Sequence, residues 1–507
     1  MSKAPVAGET RLRPALNVLW AGGPAVSTLS AEAGLLALVE SARRASELWP
    51  ELYFGKPILR LVYDPNEPLP SELLAAARRV GFEPAPYAGA HEVRAAACDI
   101  IAVDVGCADR IPPELAGLEL APEGARLFLP SSFPLSRGAF GVAPPTQDER
   151  AATPTNLAEA LLAPPRGARK RSELAAYQAE PLGERTLRFE YQLLLRLIGE
   201  RAPTGEEDDS WTRAADLADE GAGLAELRRH YERADALALT YGRKWRSRLA
   251  ARSFLLFVAN LSSGLFGALF PNFSTYTLLL QTVATGLTYV DQFVSRQGRW
   301  RGKWLDYRRL AEALRIARFC SLAGAAVPIE TPQTWTDWRV VRALRAAAVV
   351  AEMTEARAQA FLNYLCEVEI DRQIRYNTAT HRRFRRMDAR LRNAAATALI
   401  ATLALGAGFA LLNVIVATRV SLPMMSAVGL AVSAGPGLYA ALNGLRLQLD
   451  LARQADRSAR VGVALRRLRR AIESAEPSPA LARAAAYRAA QIMHEDVLSW
   501  DRVMEIV

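Results

Sequence analysis

Residues 253–290 read SFLLFVANLSSGLFGALFPNFSTYTLLLQTVATGLTYV, and none of them is Asp, Glu, Lys or Arg. A second stretch, Asn393–Leu445, is interrupted by Arg419 alone. A soluble helix shows a charge on its wet face every turn or two, so neither stretch suits one. A bilayer core of about 30 Å needs about 20 apolar residues in helical form, and each stretch holds two such segments. Pro271-Asn272 divides the first, and Arg419 with Pro423 divides the second. The expectation is a membrane domain of four spans in two hairpins, at about 253–270 and 275–291 and at about 395–417 and 422–443. Buried soluble hairpins are the alternative.

Basic residues flank both hairpins. Arg243, Lys244, Arg246, Arg248 and Arg252 precede the first, and Arg296, Arg299, Arg301 and Lys303 follow it. Arg382, Arg383, Arg385, Arg386, Arg390 and Arg392 precede the second, and Arg446, Arg453, Arg457 and Arg460 follow it. Cationic flanks are retained in the cytoplasm. This predicts an inner-membrane, multi-pass protein with both termini cytoplasmic and an intracellular signal. Of 63 basic residues only Lys3, Lys56, Lys170, Lys244 and Lys303 are lysine, the mark of a GC-rich coding sequence. The net charge of +10 is concentrated beside the spans, where anionic headgroups account for it. No aromatic-interleaved basic stripe is present, so nucleic acid is not an expected partner. Cys98, Cys107, Cys320 and Cys366 form no close pair and no metal spacing. The N-terminus has no basic-then-apolar signal segment.

Ahead of the hairpins the pattern alternates. Residues 16–20, 58–63 and 99–105 read as strands, and helices are predicted from Ser30 to about Trp49 and over 70–80. Strand–helix alternation implies a parallel sheet in a Rossmann-like α/β domain, residues 1–130. A Pro-rich linker with an acidic loop at Glu206–Asp209 covers 131–223, and helices carrying the first hairpin cover 224–330. A cytoplasmic helical segment (331–392), the second hairpin (393–445) and C-terminal helices (446–507) complete the division. The 351–392 segment is predicted to be one unbroken helix, packed against an aromatic stripe of Trp300, Trp304, Tyr307, Ala311 and Leu314.

Three motifs carry a resemblance. Tyr231-x-x-Ala234-Asp235-x-Leu237-Ala238-x-x-Tyr241 leads to Trp245-Arg246-Ser247 and the first hairpin. Trp304-x-Asp306-Tyr307-Arg308-x-Leu310-Ala311-Glu312-x-Leu314-Arg315 follows it. Asp371-x-Gln373-x-x-Tyr376 and Arg457-Ser458 frame the second hairpin. Over roughly 225–507 the chain resembles the SLATT family, transmembrane effectors associated with bacterial nucleotide second-messenger and SLOG systems. The resemblance implies a four-span homo-oligomer that permeabilises the membrane in anti-phage defence, with an N-terminal SLOG-like sensor of a nucleotide-derived ligand. Gly22-Gly23 resembles the SLOG ligand loop. The later glycine-rich ligand segment is missing, and Ala102–Gly106 runs instead into Cys107-Ala108-Asp109-Arg110.

The candidate ligand residues are Gly22, Gly23, Ser27, Thr28, Asp64 and Asp104. A Gly-Gly after a strand lets backbone approach a phosphate at a helix N-terminus, though it serves equally as a plain turn. Trp300, Trp304, Tyr307 and Glu312 mark a coupling helix; with Arg308, Arg309 and Arg315 beside it, Glu312 reads as ion-paired packing. Asn260, Gly264, Gly267, Gln281, Asn413, Pro436 and Asn443 either line a wet path or hold helices together. His91, His230, His381 and His494 are dispersed, and no nucleophile–base or metal arrangement appears, so no catalytic residue, metal or cofactor is expected. The leading expectation is a non-enzymatic effector. A membrane-anchored nucleotide-processing enzyme and a non-catalytic scaffold are the alternatives.

Overall fold

Strand β1 (Ala15–Trp20) is the centre of a small parallel sheet. It pairs with β2 (Ile58–Tyr63) from Ala15 opposite Ile58 to Leu19 opposite Val62, and with β4 (Ile100–Asp104) from Val18 opposite Ile100. β3 (Glu83–Pro86) and β5 (Ala125–Leu129) add the edges, giving the order β3-β2-β1-β4-β5. This is a computed structural model, and it describes residues 11–20, 28–63, 69–86, 100–104, 125–129, 162–164, 167–182, 189–200, 209–217, 222–269, 274–325, 327, 334–347, 353–416 and 422–505. Leu16 and Val18 alternate onto one face, where Leu35, Leu38 and Ala42 of α1 (Thr28–Leu48) join them in the core. Helix α2 (Ser71–Val80) ends on Gly81, whose φ of 99° only glycine adopts without strain, and Phe82 N–H reaches back to Ala77 O at 2.8 Å.

The remainder is helical. In chain order stand α3 (Ala168–Ala179), α4 (Glu190–Leu197), α5 (Ser210–Asp216), α6 (Ala222–Leu269), α7 (Ser274–Gln297), α8 (Trp300–Ala323), α9 (Trp335–Ala347) and α10 (Glu355–Tyr364). A π-helical turn, Leu365–Ile370, leads into α11 (Asp371–Val416), followed by α12 (Leu422–Gln448), α13 (Leu451–Glu473) and α14 (Pro479–Glu505). Three helices, α3 to α5, therefore form inside the Pro-rich segment, and Leu174, Tyr177 and Trp211 from them are buried. The long helix anticipated over 351–392 is observed from Glu355 onward, with one π turn wound into it.

Helix α9 seals the second face of the sheet. Trp338 packs edge-on against Tyr53 at 6.4 Å between ring centroids, and its indole N–H donates to Ala163 O at 2.9 Å. Arg60 of β2 donates to the carbonyls of Arg345 and Ala346 at the end of α9, at 2.9 and 3.4 Å. One apolar core then runs from β1 through α3, α6, α8, α9 and α10 to α14.

The expected fold class, a Rossmann-like domain beside a four-span membrane domain, is overturned. The molecule is mostly helical with a small sheet, and among the described residues one helix, Glu355–Leu412, is long and apolar enough to cross a membrane. The multi-pass assignment falls with it. The physical reason is that freedom from charge is not the same as apolarity. Helix α7 lies almost entirely in a charge-free stretch, yet it carries Thr275, Thr277, Thr282, Thr285 and Thr288 with Tyr276, Gln281 and Tyr289. Helix α6 enters the same stretch as the continuation of a charged helix in which Glu226, His230, Arg233 and Arg248 are buried.

Candidate functional site

All five strands are parallel, so β1, β2 and β4 end at the same edge of the sheet, at Trp20, Tyr63 and Asp104. Thr28 opens α1 and Asp104 closes β4 at that edge. Gly22, Gly23, Ser27 and Asp64 lie outside the described residues. In a parallel sheet whose connections leave β1 to opposite sides, ligands bind beyond the strand C-termini where the order reverses, here between β1 and β4.

The coupling residues come together around the end of α3. Glu180, just past its last turn, receives the Tyr241 hydroxyl of α6 on one carboxylate oxygen. Its other oxygen receives Lys303 Nζ of α8 at 2.6 Å and the Tyr307 hydroxyl at 3.4 Å. Lys303 also donates to the Tyr241 hydroxyl at 3.2 Å. Arg233 of α6 caps the same helix end, donating to the carbonyls of Tyr177, Gln178 and Glu180 at 2.9, 3.1 and 2.7 Å. A cation there offsets the negative end of the helix dipole. At the middle of α3, Glu173 takes Arg299 Nη2 at 2.7 Å. Arg299 holds a left-handed φ of 47° in the turn between α7 and α8, a conformation uncommon outside glycine.

Beneath this clasp lies an aromatic box. Tyr307 is buried with ring centroids 5.3 Å from Tyr177, 5.6 Å from Tyr241 and 6.3 Å from Trp335. Arg233 and Arg339 stack on Tyr177 at 5.3 and 5.1 Å. Burial raises the Tyr307 hydroxyl pKa, and the Glu180 carboxylate raises it further, so the phenol stays a proton donor. Burial beside Arg339, Arg229 and Arg233 holds His230 well below the usual imidazole range, and the ring is neutral. Glu180 is engaged by three donors from two helices and so ties α3 to α6 and α8 as a clasp.

Trp304 is buried against Gly242, where an added Cβ would come within 3.0 Å of the indole nitrogen, and Arg246 covers its ring at 5.5 Å. The Trp304–Tyr307 face thus packs on α6, α3 and α9, while α8 meets the 351–392 segment further along, where Arg318 pairs with Glu369. Trp300 is half-buried beside it. Glu312 lies on the other side of α8, between Arg308 and Arg315. Burial opposes its charge, but those arginines and Arg457 hold its carboxyl below the usual range.

The span candidates are scattered. Gln281 is exposed on α7, Pro436 is exposed within α12, and Asn443 accepts from Arg446 at 3.4 Å. Asn260, Gly264 and Gly267 lie in α6 and Asn413 in α11, with side chains outside the described set. Helices α11 and α12 cross at Gly435, where any Cβ would overlap the Thr402 side chain. Among the described residues no group of three or more His, Cys, Asp or Glu is placed to hold a metal ion.

Sequence reasoning missed Tyr177, Glu180, Arg233 and Lys303 as members of the clasp. The available signal was the Leu174–Tyr177 pair, spaced three apart in a stretch otherwise taken for loop. No family model, no curated protein and no solved structure matches this chain.

Proposed function

We propose that this chain is a membrane-associated effector of the kind its SLATT-like motifs imply. The α/β module takes a nucleotide-derived intracellular ligand at the β1–β4 edge, and the clasped helices relay its occupancy to an apolar helix. The observation that carries this reading is the two-part character of α11. Its first half is ion-paired, with Asp371 on Arg469 at 2.6 Å and Asp388 on Arg446 at 2.6 Å. Its second half exposes Ile400, Leu403, Leu405, Leu411 and Leu412. An exposed apolar helix following a basic flank suits a lipid surface, with arginines at headgroup level.

The relay is supported by the clasp. α3 follows the sheet in sequence and is held by α6 and α8, while α9 from beyond α8 closes the sheet. A ligand that favours one arrangement of these contacts shifts the helices by its differential affinity. The test has two parts. After expression, the protein is expected in the carbonate-resistant membrane fraction, and induction with the trigger present is expected to collapse membrane potential. Release by carbonate would sink the membrane assignment. Retention with unchanged potential and growth under phage or stress challenge would sink the effector role.

A further inference from the structure

The π turn at Leu365–Ile370 sits at the joint between the core and the apolar helix. The Asp371 N–H donates to Cys366 O, five residues back, whereas the Leu365 N–H still donates to Phe361 O, four back. One extra residue is therefore wound into an otherwise continuous helix. Such turns are rare and recur at functional joints. The extra residue turns α11 relative to α10 by about 100° and displaces it by about 1.5 Å compared with an unbroken helix.

The turn buries Leu365, Val368 and Ile370 in the main core and also receives a buried ion pair from another helix. Glu369 accepts from Arg318 of α8 at 2.5 Å and from the Tyr364 hydroxyl. Arg318 also donates to Ser210 at 2.7 Å and stacks on Trp211 at 4.4 Å, both in α5. Above the turn, Ala358, Phe361 and Leu362 anchor α10 in the main core. Below it, α11 joins a separate apolar cluster through Met387 and Leu391, and polar contacts add to this, among them Asp371–Arg469 and His381 to Ala455 O at 2.8 Å.

We infer that the π turn is a register switch, locked by Glu369 and Arg318, through which α11 rotates against a stationary α10. Release of Glu369 lets the extra residue migrate along α11, and the helix below turns as it passes. No bond is made or broken beyond hydrogen bonds and the ion pair. The inference rests on helix geometry and packing, and it holds whether or not the chain acts on a membrane.

Hydrogen–deuterium exchange on the full chain tests it. In the parent, amides of 365–373 are expected to exchange at least tenfold faster than those of α10. Glu369→Gln should quicken 365–391 at least tenfold further and leave α10 slow. Deleting Val368 removes the extra residue while keeping both flanks in phase, and should slow 365–373 at least tenfold. It should also make Glu369→Gln silent. Should Glu369→Gln fail to fold, Tyr364→Phe removes one hydrogen bond only and should act in the same direction with smaller size. Equal quickening of α10 would mean local unfolding, and parent exchange as slow as α10 would mean a static turn. A deletion that fails to fold would mean a required structural element. Any of these three overturns the switch.

Discussion

Helices α7 and α8 are neighbours of 24 residues each, and they invert the usual relation between charge and burial. α7 carries only Asp291 and Arg296 as charges, yet Leu279, Val283, Leu287, Val290, Phe293 and Val294 are exposed along it. α8 carries Arg308, Arg309, Glu312, Arg315 and Arg318, yet most of it is buried. The charges along its inner length meet partners: Arg309 meets Asp337 at 3.0 Å, Arg315 meets Glu312 at 2.6 Å, and Arg318 meets Glu369. A buried charge is tolerated when it is paired and hydrogen-bonded. Location is set by whether partners exist, and charge content alone does not report it.

The strongest way to break this comparison is to strip a partner from α8. Glu369→Ala leaves Arg318 buried without its carboxylate and is expected to cost about 3–5 kcal/mol. Replacing both by apolar residues, Arg318→Met with Glu369→Leu, should recover most of the loss, read as the midpoint of chemical unfolding. Trp304→Ala removes a buried indole from the α6–α8 contact and is expected to cost about 3 kcal/mol. It should leave the protein in its normal fraction, and a drop in abundance alone would mean the stripe is ordinary core. In the apolar part, Gly435→Val drives a side chain into Thr402 and should cost about 1–3 kcal/mol. Thr402→Gly should restore it; a Gly435→Val protein as stable as the parent would mean that α11 and α12 do not meet there.

Acid probes the buried imidazole. His230 has its folded pKa depressed well below 6.5, so as pH falls through 6.5 the unfolded chain takes up a proton that the folded chain refuses. Stability should therefore fall as pH drops below that value, by up to about 1.4 kcal/mol per pH unit per group. His494 is shifted the same way by burial and contributes its own share. His230→Gln should flatten part of the slope, and an unchanged slope would remove His230 as a source. The smallest effect is expected at Arg385, whose 2.7 Å pair with Asp456 is half exposed on both sides. Arg385→Ala should change stability by no more than about 1 kcal/mol, and less at high salt.

Local pattern made part of the architecture legible. The short apolar runs at 16–20 and 58–63 pointed to strands, and the Pro271 and Arg419 breaks fall between observed helices. Charge counting misled where threonine and tyrosine substitute for charge, as in α7. The linker reading failed at α3 because Leu174 and Tyr177 take their burial from α6 and α9, far along the chain. Tyr307 was legible as part of an aromatic stripe, but its partner helix was not. Sequence spacing shows which residues share a face and does not show what that face meets. The π turn was not read from residues 365–370, and the partner of its Glu369 is Arg318 from α8, far off in sequence.

The bond from Arg60 to Arg345 joins residues 285 apart. At about 5–20 residues per second of synthesis, the sheet waits roughly 15–60 s for the helix that closes its second face. During that interval Tyr53 and the neighbouring strand faces stand open on the ribosome. Nascent chains of this protein should therefore be customers of holding chaperones until α9 emerges. A fragment stopped at residue 180 would keep that face open permanently.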